Sequence, residues 1–173
     1  MLPNPPDSPD ADPAADERSR EPPPATRVLR QFRIVFNAVK SHFRNVEKAA
    51  GIGGAQVWAL SVVAQHPGIG VGELAKALDI HQTTASNLVK TLAAQGLVAP
   101  GKSEHDRRAV ALRLSEAGAE RLAKAPAPFA GVLPGALASM DEQALARLEQ
   151  DLHVLIEILQ AEDTGANTPL ADL

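Results

Sequence analysis

Cysteine and tyrosine are absent from this 173-residue chain, which has a single tryptophan and four phenylalanines. Without cysteine, the chain has no disulfide, no thiolate metal ligand and no thiol redox switch, a pattern typical of cytoplasmic proteins. No run of 18 uncharged apolar residues occurs, so we expect no transmembrane helix and no membrane partner. The apolar content of 45% is that of an ordinary globular domain.

The sequence motifs of common enzyme classes are also missing. There is no G-x-S-x-G, no phosphate-binding loop and no H-E-x-x-H, and no cysteine is present as a nucleophile. The paired acids Asp141 and Glu142 fall at the start of a predicted helix, where their negative charges interact favourably with the positive end of the helix dipole. We therefore predict that the protein is not an enzyme and needs no cofactor.

Charge is distributed unevenly along the chain, although the net charge is only −4. Residues 1–25 have a net charge of −4, and residues 26–50 have a net charge of +5. Residues 51–70 are uncharged, residues 71–125 have a net charge of +2, and residues 126–173 have a net charge of −7. The overall acidity therefore does not exclude a nucleic-acid partner, because local charge decides which surface attracts phosphate.

The N-terminal part of the chain changes character near Thr26. Eight of the 14 prolines fall within residues 1–24, so we expect a disordered, acidic tail over residues 1–25. A helical period then runs from Thr26 to Gly51 in two apolar lines: Val28, Phe32, Val35, Val39, His42 and Val46 in one, and Leu29, Phe36 and Phe43 in the other. A helix with two apolar faces contacts two partners, such as its own domain and a second subunit.

Short helices and one hairpin are predicted in the middle of the chain. Helical patterns cover residues 55–65, 72–80 and 82–95, and Gly96 ends the third as a left-handed cap. Strands over 97–101 and 109–114 form a hairpin.

A shorter and a longer helix are predicted after the hairpin. Ser115 caps a helix that runs to Lys124, where Pro126 and Pro128 interrupt it. A final helix is predicted over 139–160, with Ser139 and Glu142 at capping-box spacing. Its apolar side consists of Leu145, Leu148, Leu152, Leu155 and Leu159. Residues 161–173 are predicted to fray.

The helix predicted over 82–95 has a polar outward face. Its inward positions, among them Leu88 and Leu92, follow spacings of three and four. The outward positions suit base edges and phosphates in a major groove, and the candidate DNA contacts are Gln82, Thr83, Thr84, Ser86, Asn87 and Lys90. The alternative is a helix that is polar only because it faces solvent.

The predicted hairpin turn contains Asp106, Arg107 and Arg108. A hairpin beside a recognition helix falls over the adjacent minor groove, where an inserted arginine is favoured. Asp106 can hold Arg108 in position through charge-assisted hydrogen bonds. The alternative is a solvated surface ion pair, worth less than about 1 kcal/mol.

The order of these elements resembles the MarR family of winged-helix regulators. The resemblance is strongest over residues 72–122, from GELAKALDIHQTTASNLVKTLAAQGLV through DRRAVALRLSEAGAERL, and with the flanking helices it covers residues 26–160. The Asp-x-Arg pattern, here Asp106 and Arg108, is a fairly specific mark of the family. The sequence departs from the family pattern in two places. Pro100 and Gly101 stand where the family often has basic residues, and the prolines at 126, 128 and 134 interrupt a helix that is usually continuous in the family.

The resemblance implies a mainly α fold with a small β-wing. A winged helix-turn-helix lobe over residues 67–125 would bind DNA, and helices from 26–66 and 126–160 would interlock in a homodimer. The +5 and −7 segments would attract one another in such a dimer. The family typically represses genes from pseudo-palindromic operators and releases DNA on binding a small aromatic carboxylate or phenolic effector.

The candidate effector-binding residues are Ser41, His42, Trp58, Ser61 and Gln65. An aromatic wall, a hydroxyl group and an imidazole suit an aromatic acid, with Arg33 or Arg44 assisting. The alternative for His42 is a histidine bonded to a neighbour in the core or at the dimer seam. Two alternative functions remain open, a metal-responsive regulator of the same fold and a winged helix that binds protein. The five histidines show no His-x₃-His pair, so we predict no metal site.

Overall fold

The computed structural model describes residues 21–102, 110–162 and 166–172. Between Phe36 and Asn37 the chain divides into two units. The described residues form seven α-helices and one two-stranded antiparallel sheet. The predicted fold class, mainly α with a small β-wing, is therefore confirmed. The elements are α1 (Pro24–Ala50), α2 (Gly54–Gln65), α3 (Val71–Ala77), α4 (Gln82–Ala94), β1 (Val98–Lys102), β2 (Val110–Leu114), α5 (Glu116–Lys124), α6 (Val132–Ala138), α7 (Glu142–Leu159) and a 3₁₀ turn (Leu170–Asp172).

Helix α1 begins two residues earlier than the sequence predicts. Pro24 occupies its first position, where a missing N–H costs nothing because that group has no partner within the helix. At the other end, Gly51 adopts a φ of 70° and stops the helix as a left-handed cap. The carbonyl oxygen of Ala50 accepts a 2.9 Å hydrogen bond from Nη1 of Arg121, which fastens the end of α1 to α5.

The hydrophobic core of the unit that begins at Asn37 is built around α2. Apolar residues of α1, α3, α4 and the hairpin pack against this helix, and burying each leucine contributes about 1.5–3 kcal/mol. The largest fully buried side chains are Leu60, Leu74, Leu78, Leu92, Leu112, Val46, Val57 and Val63. Residues of α2 share this core with residues of α3 and α4, and the dimerisation region expected over residues 26–66 and 126–160 stays a prediction.

Helix α6 lies where the sequence predicted only interruption by prolines. Pro134 is the third residue of α6, and the first turn of a helix has no hydrogen bond that a proline could remove. The helix ends at Ser139, whose Oγ donates a 2.7 Å bond to the carbonyl oxygen of Ala136.

The start of α7 differs from the predicted capping box. Asp141, not Ser139, is the N-cap, and its Oδ1 accepts a 2.8 Å hydrogen bond from the backbone N of Ala144. Serine and aspartate are both good N-caps, and the end of α6 at Ser139 decides between them. The capping-box assignment was therefore wrong.

A short C-terminal segment, residues 166–172, is described within the range 161–173 that the sequence predicts to fray. The 3₁₀ turn Leu170–Asp172 lies against α2, and Pro169 just before it is buried. An ordered C-terminal segment thus belongs to the same unit as the helix-turn-helix.

Candidate nucleic-acid interface and adjoining groove

Helices α3 and α4 are held at a fixed angle by their turn and by the core. Asp79 has a φ of 51°, a left-handed conformation that aspartate tolerates better than most residues. The backbone N of Ile80 donates a 3.0 Å bond to the carbonyl oxygen of Ala75, and the Ile80 side chain is buried. With Leu78 and Ala85 also buried, α4 cannot rotate without opening the core.

The outer face of α4 is polar and exposed, as predicted from its spacing. Gln82, Thr83, Asn87 and Lys90 are exposed, and Ser86 is half-buried. They occupy the side of the helix opposite to the fully buried Leu92. The structure therefore brings five of the six predicted α4 residues onto one surface.

Thr84 and Asn87 also line a cleft at the flank of α4. The cleft has a volume of about 340 Å³ and is bounded as well by Gln56 and Pro169. Thr84 is half-buried, and it lies toward the start of α2 rather than at the centre of the outer face.

The hairpin that follows α4 is described only in its two strands. Its register pairs Val98 with Leu114 and Lys102 with Val110. Asp106, Arg107 and Arg108 lie outside the described residues, so their DNA-binding role stays a prediction. A short extension of the sheet is formed by Leu112, whose carbonyl oxygen accepts a 2.8 Å bond from Gly68 and whose N donates to Ile69 at 2.9 Å.

Two polar contacts fix the base of the hairpin to its neighbours. Ser115 Oγ donates a 2.7 Å bond to the carbonyl oxygen of Gly96 and accepts a 3.0 Å bond from the N of Gly118. Gly96, with a φ of 69°, ends α4, and Ser115 begins α5 as predicted. One hydroxyl group thus joins the end of α4 to the start of α5.

The predicted effector-binding residues do not converge on one cavity. Ser41 and Gln65 are exposed, whereas Ser61 is buried and its Oγ donates a 2.7 Å bond to the carbonyl oxygen of Trp58. Nε2 of His42 lies 2.9 Å from the carbonyl oxygen of Pro128. Of the five residues, Trp58 alone lines the described apolar groove.

This groove contains residues that the sequence reasoning missed. We call it the Trp58 groove, and it is lined by Phe43, Trp58, Leu78, Asp79, Ile80, Ala130, Pro134 and the C-terminal segment. Phe43 packs tightly there, since a Cβ on Gly131 would lie 2.7 Å from its Cζ. The sequence signal was the position of Phe43 on the second apolar line of α1.

Two further findings concern metals and membranes. Among the described residues, no group of three or more histidine, aspartate and glutamate side chains is arranged to hold a metal ion. In the same part of the chain, no helix combines the length and hydropathy needed to cross a membrane.

Residues 50–109 match the model of the MarR family. No curated protein sequence matches the chain.

Several solved structures share the fold. A MepR-like protein complexed with pseudoligands has a TM-score of 0.52 at 17% identity, over 78% of this chain and 94% of that one. A mutant MarR from E. coli complexed with operator DNA has a TM-score of 0.51 at 17% identity, over 78% and 99%. The YusO protein from Bacillus subtilis has a TM-score of 0.50 at 18% identity, over 80% and 96%. Residues 50–109 therefore resemble the MarR family, and the chain shares the winged-helix fold of these solved structures.

Proposed function

We propose that this protein is a DNA-binding transcriptional repressor that acts as a homodimer and responds to a small aromatic ligand. The observation that carries the proposal is the exposed polar face of α4, which includes Gln82, Asn87 and Lys90. Amide side chains can pair with adenine edges, and a lysine can neutralise a phosphate. The similarity in fold to a MarR structure complexed with operator DNA supports this role.

The hairpin tip would make the second contact with DNA. Each subunit would place α4 in a major groove and Arg108 in the flanking minor groove, with Asp106 holding the guanidinium. Two such lobes related by a twofold axis would contact half-sites about 34 Å apart, one turn of the double helix. A pseudo-palindromic operator follows from that symmetry.

A homodimer is supported by the exposure of α7. None of its residues is buried within the chain, and Leu145, Ile156 and Leu159, which helical periodicity places on one face, are between 39% and 65% exposed. A contiguous apolar surface of this kind marks an interaction site. The partner that fits the regulator fold is a second copy of the chain.

The Trp58 groove supports a small aromatic effector. Phe43 and Trp58 supply aromatic faces, and Leu78 and Ile80 of the helix-turn-helix form another side. Because the groove adjoins the turn that positions α4, ligand binding and DNA binding would be coupled, by about 1–3 kcal/mol in typical cases. Asp79 is the charged group among the described lining residues, which favours a neutral phenolic ligand over a carboxylate.

The direct test of the proposed function is a footprinting experiment on the intergenic DNA upstream of the protein's own gene. We expect two protected half-sites spaced by one helical turn. Substitution of Gln82 and Asn87 by alanine should remove the protection at the bases they contact. Uniform protection without half-sites would contradict sequence-specific regulation.

A further inference from the structure

The C-terminal segment, residues 166–172, packs against α2, and we call this position its seat. Pro169 is buried, and a Cβ on Gly54 would lie only 2.9 Å from the Cβ of Ala171 and 2.5 Å from Cδ1 of Phe43. Contacts this close are possible because residue 54 has no side chain. Gly54 therefore allows the segment and the Phe43 ring to meet at the start of α2.

The same segment covers the Trp58 groove. Residues 166 and 168–171 line it from one side, and Phe43 and Trp58 line it from the other. A cavity of about 140 Å³ remains between them. An engineered apolar cavity of about 150 Å³ holds one benzene molecule, so the space left beside the seated segment is limited to a single ring.

The segment also contacts the start of α4. Nδ2 of Asn167 lies 3.3 Å from Nε2 of His81 in a hydrogen bond, and His81 is the N-cap of α4. Asp79 and Ile80, in the turn between α3 and α4, line the covered groove as well. Displacement of the segment would therefore remove contacts at the start of α4, the helix that carries the proposed DNA-binding residues.

From these contacts we propose that residues 166–172 are a built-in competitor of the effector. A ligand larger than one ring reaches Phe43 and Trp58 only when the segment leaves its seat. The inference rests on the proposed function for the identity of the effector site. It adds a regulatory element, because the strength of seating sets the ligand concentration to which the protein responds.

The size of the effect follows from the time that the segment spends off its seat. The apparent affinity for a ligand is reduced by the fraction of molecules in the competent state, so a segment seated for about nine-tenths of the time weakens binding about tenfold. Unseating the segment should therefore strengthen binding rather than weaken it. A purely structural segment would give the opposite sign, because its loss would damage the groove.

The test compares Ala171→Arg with Ala161→Arg in the full chain. Ala171 packs on Gly54, so the long charged side chain should displace the segment, whereas residue 161 is exposed just beyond α7. Binding of 2-naphthol, a neutral two-ring phenol, is measured by calorimetry. Acrylamide quenching of Trp58, the only tryptophan in the chain, reports access to the groove without any ligand.

We expect Ala171→Arg to bind 2-naphthol about tenfold more tightly than the parent and to show stronger quenching, while Ala161→Arg matches the parent. A chain that ends at Glu162 should behave like Ala171→Arg. Adding a peptide of residues 166–173 should reverse its gain in affinity for 2-naphthol, whereas a scrambled peptide should not. Equal or weaker binding in both unseated variants, or no binding in any, would overturn the inference. DNA affinity of the parent is measured separately, so a failure of the proposed function is told apart from a failure of the competitor.

Discussion

Gly118 lies so close to the carbonyl oxygen of Leu97 that a methyl group on its Cα would overlap that oxygen. The contact brings the first turn of α5 against the residue that links α4 to β1. Together with the Ser115 hydroxyl, it fixes the hairpin relative to α4. The direction in which the hairpin leaves α4 therefore depends on a glycine that the sequence alone shows only as part of a family-like S-E-A-G start.

Gly118→Ala should destabilise the lobe by about 1–3 kcal/mol, the usual cost of overpacking. The matched control is Gly135→Ala, since a Cβ on Gly135 meets nothing within 4 Å and alanine is the better helix former. Chemical denaturation followed by circular dichroism measures the free energy of unfolding of both variants. Equal stability of the two variants would show that the Leu97 contact is not a constraint.

Lys90→Ala should weaken DNA binding almost equally on all sequences and reduce the salt slope by about 1, the signature of one lost phosphate contact. Lys124→Ala, which removes a charge at the end of α5, is the control for net charge. DNA affinities measured over a series of salt concentrations distinguish the loss of a phosphate contact from a change in net charge. An unchanged slope for Lys90→Ala would mean that this lysine does not reach the phosphates.

Ile156→Glu should convert the dimer to a monomer, because it places a charge in the exposed apolar surface of α7 that we assign to the subunit interface. Gln150→Glu adds the same charge on α7 away from the face formed by Leu145, Ile156 and Leu159, and it should leave the dimer intact. Sedimentation velocity gives the oligomeric state of each. A dimeric Ile156→Glu would move the interface away from this face.

Arg108→Ala should strongly weaken binding to the specific operator without affecting the dimer, since a minor-groove arginine contributes to sequence readout. Asp106→Ala should cost less, because it removes the group that orients the arginine. Fluorescence anisotropy with operator DNA measures both losses. Parent-like operator binding by Arg108→Ala would refute the role predicted for the hairpin.

Local sequence patterns predicted most of the lobe. The period of Leu88 and Leu92 placed α4 within one residue of its observed end, and Gly96 and Ser115 marked the boundaries on either side of the hairpin. These features depend on neighbouring residues only, so a single sequence contains them.

Long-range packing was the part that the sequence could not supply. The order at Pro169 and Ala171 depends on the absence of a side chain at Gly54, more than 110 positions away. Likewise, the prolines near α6 predicted a break, but Pro134 falls in a first turn where it is tolerated. His42 was predicted at an effector site, and its bond to the carbonyl oxygen of Pro128 arises from a loop whose path the pattern does not reveal.

Recognition of an operator by α4 and the hairpin is tested by fluorescence anisotropy of the purified protein with its own upstream intergenic DNA and with scrambled DNA, at two salt concentrations. We expect a clear preference for the upstream DNA and a steep loss of affinity at the higher salt, since phosphate contacts release counterions. Equal, weak binding to both DNAs at both salt concentrations would contradict the assignment of α4 and the hairpin to operator recognition.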